Sequence, residues 1–101
     1  MFFSTLARNL SPVTFKLSVP MMSDKPEWNL QGQMLSLTMP LTETVAAIKA
    51  RIHEELGMPP GKQKLQHENI FYKDVNSLAY YNITPGTVIS LQIKERGGRK
   101  K

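Results

Sequence analysis

The chain has 101 residues, of which 41% are hydrophobic and 21% charged, with a formal net charge of +5 and no cysteine. This length and composition predict one small globular domain rather than a disordered segment. The lack of cysteine excludes disulfides, thiolate metal ligands and cysteine nucleophiles, and it suits a reducing compartment. No apolar run approaches the roughly 18 residues that span a membrane, so we expect no membrane partner.

The positive charge is concentrated at the C-terminal end. Residues 94–101 contain five cations and one acid, Glu95, so this segment carries +4 of the total of +5. A basic segment at one end of a nearly neutral domain predicts a polyanionic partner. A tail that serves only to keep the domain soluble is the alternative.

The N-terminal end weakly resembles a mitochondrial transit peptide. Its first 22 residues contain no acid but include Arg8 and several serines and threonines. Pro12 and the strand-like pattern after it would interrupt an amphipathic helix early. We therefore predict a flexible N-terminal leader over residues 1–11.

Two runs of alternating apolar and polar residues predict a β-hairpin. Residues 13–19 are apolar at every second position, and residues 35–39 repeat the pattern. Such alternation is typical of a strand with one buried and one solvated face. The polar connection between them, residues 21–33, is longer than most hairpin loops.

A helix follows, because the apolar residues now recur at spacings of three and four, at Val45, Ile48, Ile52 and Leu56. Thr44 is suited to be its N-cap, and Gly57 with the two prolines after Met58 predicts its end.

Short elements complete the chain. Residues 64–67 and 70–72 predict brief strands, residues 77–81 a helical turn, and residues 88–93 a final strand with Ile89, Leu91 and Ile93 inward. The order β-β-α-β-β-β predicts an α+β fold in which one helix packs across one mixed sheet.

Several segments resemble ubiquitin in residue type and spacing. They are residues 48–52, 57–60, 63–65 and 81–83, and the sequence Arg96-Gly97-Gly98. Residues 35–98 can be laid on ubiquitin without a gap. The resemblance implies the ubiquitin-like β-grasp fold.

A closer resemblance is to the C-terminal ubiquitin-like domain of the large subunit of splicing factor 3a, over about residues 10–101. It is carried by Pro12-Val13, Glu27-Trp28, Ile70-Phe71 and Lys73-Asp74, and by residues 61–66, 76–82 and 94–101. It implies a ubiquitin-like domain over residues 12–95 and a basic RGG-type tail over residues 96–101. It also implies a nuclear component of the U2 small nuclear ribonucleoprotein that acts in pre-mRNA splicing. That family's domain contacts a stem-loop of U1 small nuclear RNA, and other splicing-factor subunits would bind family modules outside this match.

The tail offers groups suited to RNA. Arg96 and Arg99 are planar guanidinium forks separated by Gly97 and Gly98, which add no side-chain bulk. An arginine fork matches the O6 and N7 atoms of guanine and can also stack on bases. Lysines on either side of this motif, at Lys94, Lys100 and Lys101, would bind phosphates.

A second group of candidate RNA contacts lies in the domain. Lys62, Lys64 and Lys73 would bind phosphates without reading sequence. Phe71, which lies between them in the chain, would stack on a base, and Tyr80 is a further candidate contact. The alternative is that the lysines are ordinary solvated side chains. Tyr81 is predicted to be a core residue whose hydroxyl fixes the adjacent loop.

Other functions are less well supported by the sequence. The two histidines, His53 and His67, have no partners at ligand spacing, so we expect no metal, no cofactor and no enzyme activity. We also expect a monomer.

Two ubiquitin-like roles stay open. A conjugated modifier would first have to lose the three residues after Gly98. A module for ubiquitin receptors would lack the apolar anchor, because Gln66, Ser90 and Gln92 occupy the corresponding outward positions.

Overall fold

A computed structural model describes residues 12–94 of the chain, so the predicted leader and the predicted tail lie outside the described residues. The order of elements is the predicted one. In chain order they are β1 (Pro12–Ser18), β2 (Met34–Pro40), α1 (Val45–Leu56), a 3₁₀ turn (Pro60–Lys62), β3 (Gln63–His67), β4 (Ile70–Phe71), a second 3₁₀ turn (Ala79–Tyr81) and β5 (Val88–Ile93).

Within residues 12–94 the strands form one five-stranded sheet in the order β2-β1-β5-β3-β4. The first and last strands, β1 and β5, are parallel neighbours at its centre, and every other pair is antiparallel. The predicted α+β architecture, with a mixed sheet and one helix, is thereby confirmed.

The core lies between α1 and one face of the sheet. Alternation along the strands turns Phe15, Leu37 and Ile89 inward, and the helical period turns Ile48 and Ile52 toward them. At the ends of the strands the predicted inward residues Val13, Leu35 and Ile93 are only partly buried, since they pack against the margin of the core.

The helix begins and ends at the predicted residues, but its first turn is capped differently. Thr44 occupies the N-cap with extended backbone, yet its side chain makes no capping hydrogen bond. The free N–H groups of Val45 and Ala46 instead donate to the backbone carbonyls of Asn76 and Asp74, at 2.9 and 3.2 Å. Thr44 is thus the N-cap residue as predicted, and a neighbouring loop supplies the acceptors for the first N–H groups of the helix.

The long connection between β1 and β2 packs against the core of the domain. Leu30 is buried in the core, and Trp28 packs against it. Backbone hydrogen bonds extend the hairpin, with Val19 N–H donating to Gln33 and Met22 N–H donating to Leu30. The long loop is thus fixed to the domain at its centre as well as at its ends.

A two-residue turn joins β3 to β4. Glu68 and Asn69 both have positive φ, 51° and 69°, which is the geometry of tight hairpins that match the twist of their strands. The strand after the turn ends one residue earlier than predicted, at Phe71. The N–H of Tyr72 still donates to the carbonyl of Leu65 at 2.9 Å, and the Tyr72 side chain is buried in the core.

The hydroxyl of Tyr72 is buried without a hydrogen-bond partner among the described residues. Burial raises the pKa of this hydroxyl above its ordinary value near 10, and the neighbouring Tyr81 and Glu68 act in the same direction. The folded state therefore keeps a proton that the unfolded chain releases near pH 10. Its free energy of unfolding should consequently fall as the pH rises above about 10.

Replacing Tyr72 by phenylalanine should remove that alkaline fall. At pH 7 Tyr72→Phe should leave the free energy of unfolding unchanged or slightly raised, because a buried hydroxyl without a partner contributes no net stabilisation. Urea unfolding of both proteins at pH 7 and pH 10.5 measures this. A loss above about 1 kcal/mol at pH 7 would contradict the prediction, since it would mean that the hydroxyl is hydrogen-bonded.

Candidate nucleic-acid interface

A groove of about 490 Å³ lies beside β4, at the edge of the sheet. Phe71 on β4, Lys73 after it, and Tyr80 on the second 3₁₀ turn line this groove. Phe71 and Tyr80 are 47% and 66% exposed. The groove therefore presents two aromatic rings and a cation to solvent.

Lys64 extends this surface onto the outer face of the sheet, the face away from α1. Its Nζ lies 4.7 Å from the centroid of the Phe71 ring, within the range of a cation–π interaction. The two residues are close because Gln66 pairs with Phe71 in the ladder and Lys64 is the next outward residue on β3. Phe71 thus has the Lys64 ammonium over its ring and shares the groove with Lys73.

Tyr81 fixes the inner wall of the groove. Its hydroxyl accepts hydrogen bonds from the backbone N–H of Lys73, at 2.8 Å, and from the side-chain amide of Asn76, at 3.0 Å. Its ring stacks on Tyr72 at a centroid distance of 4.0 Å and meets the edge of Tyr80 at 4.9 Å. The prediction that this hydroxyl holds the adjacent loop is confirmed.

The loop that carries Lys73 is also held by the helix. The Nζ of Lys49 lies 2.7 Å from Oδ1 of Asp74, and the Lys49 side chain is only 11% exposed. Together with the backbone bonds that cap α1, this ion pair fixes the loop against the N-terminal turn of the helix. The position of Lys73 is consequently set by the core.

Lys62 and Lys94 belong to a different groove, of about 380 Å³, at the end of β5. The N–H of Lys94 donates to the carbonyl of Lys62 at 2.7 Å, which joins the two backbones. Trp28 and Lys25 from the β1–β2 connection line the same groove, and the Lys25 ammonium lies 5.6 Å from the indole centroid. Sequence reasoning did not single out this tryptophan as a neighbour of the two lysines.

The predicted contact residues within residues 12–94 thus fall into two groups. The structure brings together Lys64, Phe71, Lys73 and Tyr80, and it places Lys62 with Lys94. The remaining candidates, Arg96, Gly97, Gly98, Arg99, Lys100 and Lys101, lie outside the described residues. A role of either group in RNA binding stays a prediction.

Comparison with known proteins agrees with this architecture. The model of the ubiquitin family matches residues 28–96, more than half of the chain. The chain belongs to the ubiquitin family.

Within this family the chain is similar to splicing factors. It is 62% identical over 96 residues to splicing factor 3A subunit 1 of Homo sapiens, a match covering 95% of this chain and 12% of that protein. It is 38% identical over 97 residues to the probable splicing factor 3A subunit 1 of Arabidopsis thaliana. The chain therefore spans about an eighth of the length of these relatives. The predicted resemblance to this ubiquitin-like region is confirmed.

Two further matches place the domain among its relatives. A solution structure of the ubiquitin-like domain in a splicing factor superposes with a TM-score of 0.70 at 34% identity, covering 94% of this chain and 80% of that one. A NEDD8-like protein of Arabidopsis thaliana is 32% identical over 69 residues, which covers 68% of this chain and 88% of that protein.

The outward positions that correspond to the apolar anchor of ubiquitin are polar in this domain. Gln66 and Ser90 are paired in register, and the side-chain amide of Gln92 donates to Gln66. These amides are therefore already engaged with each other on the sheet surface.

The two histidines have different surroundings. His53 is exposed, while Nδ1 of His67 lies 2.9 Å from the carbonyl oxygen of Val88. In the span from Pro12 to Lys94, no three side chains of the metal-ligating types come together, and no helix is long and apolar enough to cross a membrane.

Proposed function

We propose that this ubiquitin-family domain binds RNA in pre-mRNA splicing, as a nuclear protein, and that its target is a stem-loop of U1 small nuclear RNA. The observation that carries the proposal is the exposed Phe71 ring with the Lys64 ammonium against it and Lys73 beside it. The similarity to proteins named as splicing factor 3A subunit 1 supports the same assignment.

The surface around Phe71 is suited to a nucleotide that is not stacked in a helix. An exposed aromatic ring can stack on any base, and stacking of this kind contributes roughly 1–3 kcal/mol per base. Lys64 and Lys73 would contact phosphates next to this base, which fixes the strand without reading its sequence. Tyr80, exposed in the same groove, offers a hydroxyl or a second ring.

The tail would supply the sequence-reading part. Arg96 and Arg99 follow within a few residues of Lys94, at the end of the final strand. An arginine fork discriminates guanine from other bases by two parallel hydrogen bonds, whereas a lysine contributes mainly charge. In this proposal the domain holds the flanking nucleotides and fixes the position from which the tail begins.

A conjugated modifier is the second candidate, favoured by the similarity to a NEDD8-like protein. It requires cleavage after Gly98, because only a terminal glycine carboxylate can be activated for conjugation. Mass spectrometry of the chain after incubation with cell extract distinguishes the two. Loss of residues 99–101 and a mass increase on other proteins would favour the modifier over the RNA-binding domain.

The proposed RNA contact is tested by removing the Phe71 ring. Each stem-loop of U1 small nuclear RNA, and hairpins of equal length with scrambled loops, would be titrated with the 101-residue chain by fluorescence anisotropy. Phe71→Ala should weaken binding to the preferred stem-loop by roughly five- to a hundredfold, the equivalent of one lost stack. Its thermal midpoint should change little, because Phe71 is half exposed at a sheet edge.

The matched control is Met21→Ala, which removes a large apolar side chain that is 69% exposed on the β1–β2 connection. It should bind every hairpin as the unchanged chain does. Equal affinities for all U1 stem-loops and their scrambled controls would argue against the U1 assignment. Unchanged affinity of a folded Phe71→Ala would remove Phe71 from the site.

A further inference from the structure

The acidic residues of this domain are segregated from its sheet. None of the five strands within residues 12–94 contains an aspartate or a glutamate. The acids of this region lie in the connections and on the helix, at Asp24, Glu27, Glu43, Glu54, Glu55, Glu68 and Asp74. The sheet is therefore free of carboxylates, although the region as a whole is not.

The two cations of the strands, Lys16 on β1 and Lys64 on β3, both lie on the outer face. Between them the outward residues of β5 are Val88, Ser90 and Gln92, a hydroxyl and an amide beside one exposed apolar side chain that pairs with Lys16. In the register of the ladder, Phe71 pairs with Gln66, Gln66 with Ser90, and Ser90 with Ser18. Lys16 is the next outward residue of β1 beyond Ser18. A continuous polar path thus leads from Phe71 across the sheet to Lys16.

This composition differs from that of an ordinary solvated sheet face. Surfaces that only keep a domain soluble usually intersperse charges of both signs. Here only positive charge occurs, with hydroxyl and amide donors that commonly contact phosphate oxygens. A face of this kind attracts a polyanion and contains no carboxylate that would repel one.

We propose that the RNA bound at Phe71 continues across the outer face of the sheet and that Lys16 contacts one of its phosphates. The proposal rests on the proposed function and adds a contact that sequence reasoning did not include. Ser18 lies three strands away from Phe71, roughly 14 Å at the usual strand spacing, and Lys16 is two residues, roughly 7 Å, further along β1, a separation that a few nucleotides span. Ser18, Ser90 and Gln66 lie along this path and would contact the backbone between the two ends.

The chain contains no cysteine, so a single introduced cysteine can be modified selectively. Lys16→Cys removes the proposed phosphate contact, and alkylation with bromoethylamine restores an ammonium group at nearly the length of lysine. Arg51→Cys is the control, because Arg51 lies on α1, on the other side of the domain, and its loss changes the net charge equally. All are measured as the 101-residue chain with the U1 stem-loop hairpins at several salt concentrations.

Lys16→Cys should weaken binding about three- to tenfold at low salt and reduce the slope of log K against log[salt] by about one. Alkylation should restore both quantities, and Arg51→Cys should change affinity by less than about twofold. Thermal midpoints of all variants should agree, since both side chains lie outside the core.

The outcomes separate this proposal from the proposed function. If Lys16→Cys binds as tightly as the unchanged chain while Phe71→Ala does not, the path across the sheet is overturned and RNA binding at Phe71 stands. If the unchanged chain binds no hairpin, both are overturned. If Lys16→Cys loses affinity for polyglutamate but none for RNA, the face binds an acidic protein instead, and the proposal is overturned.

Discussion

A chain that ends at Glu95 should lose most of its affinity for RNA and keep its thermal midpoint. The truncation removes Arg96, Arg99, Lys100 and Lys101, so the formal net charge falls from +5 to +1. If each of these cations neutralises about one phosphate, the intact chain should show a slope of log K against log[salt] of roughly −3 to −4 from the tail alone. Truncation should flatten the slope by that amount.

The midpoint should not change because the residues that form the core all precede the truncation. Anisotropy titrations at several salt concentrations and a thermal melt of each chain provide the two measurements. Equal RNA affinity of the truncated and intact chains would exclude the tail from the interface.

A double substitution separates base reading from charge. Changing Arg96 and Arg99 to lysine keeps the net charge at +5, so the salt dependence should persist. If the tail reads guanine, affinity for the preferred stem-loop should fall by about 1–3 kcal/mol per lost bidentate contact, with little change on an unrelated duplex. Identical behaviour of the arginine and lysine versions on both RNAs would mean that the tail only attracts phosphate.

Replacing Ile52 by alanine should have the largest effect on the fold. Ile52 is fully buried at the centre of α1, where it faces the inner side of the sheet. Loss of a buried side chain of this size costs about 2–5 kcal/mol, a large part of the total of roughly 5–15 kcal/mol for a small domain. For a domain of this length that corresponds to a fall in the thermal midpoint of roughly 10–30 °C.

The neighbouring residue provides the control. His53 is exposed, and its backbone carbonyl, which the substitution keeps, accepts the hydrogen bond from Gly57 N–H. His53→Ala should therefore change the free energy of unfolding by less than about 0.5 kcal/mol. Similar midpoints for the Ile52 and His53 variants in circular-dichroism melts would contradict the assignment of this helix face to the core.

The regular elements could be predicted because burial imposes a period on the sequence. The alternation at Phe15 and Leu17 and the helical spacing of Ile48 and Ile52 both survive in the structure as inward faces. The burial of Leu30 was not predicted, because this residue belongs to no periodic pattern. It lies in a connection whose apolar residues, Met21, Met22, Trp28 and Leu30, sustain neither a strand alternation nor a helical spacing.

The sequence allowed the candidate contact residues to be named, but it did not show which of them lie next to each other. Lys62 and Lys64 are two residues apart, which on a continuous strand would direct both side chains to one face. Lys62 instead ends a 3₁₀ turn before β3 begins, so its neighbour is Lys94 and not Phe71. The proximity of Lys64 to Phe71 depends on strand register across a two-residue turn, and Asn69 was the one local signal of that turn.

The parallel pairing of β1 and β5 has a mechanical consequence. A tail anchored on RNA would pull on β5 from its C-terminal end, while tension on the preceding chain would pull on β1 from its N-terminal end. Because the two strands are parallel and adjacent, these forces act along the strands in opposite directions and shear the ladder. Under shear, the hydrogen bonds of the ladder must break together. If the strands were peeled apart, the bonds would break one after another. The attachment of the tail to a central strand thus lets the domain resist tension applied between its two ends.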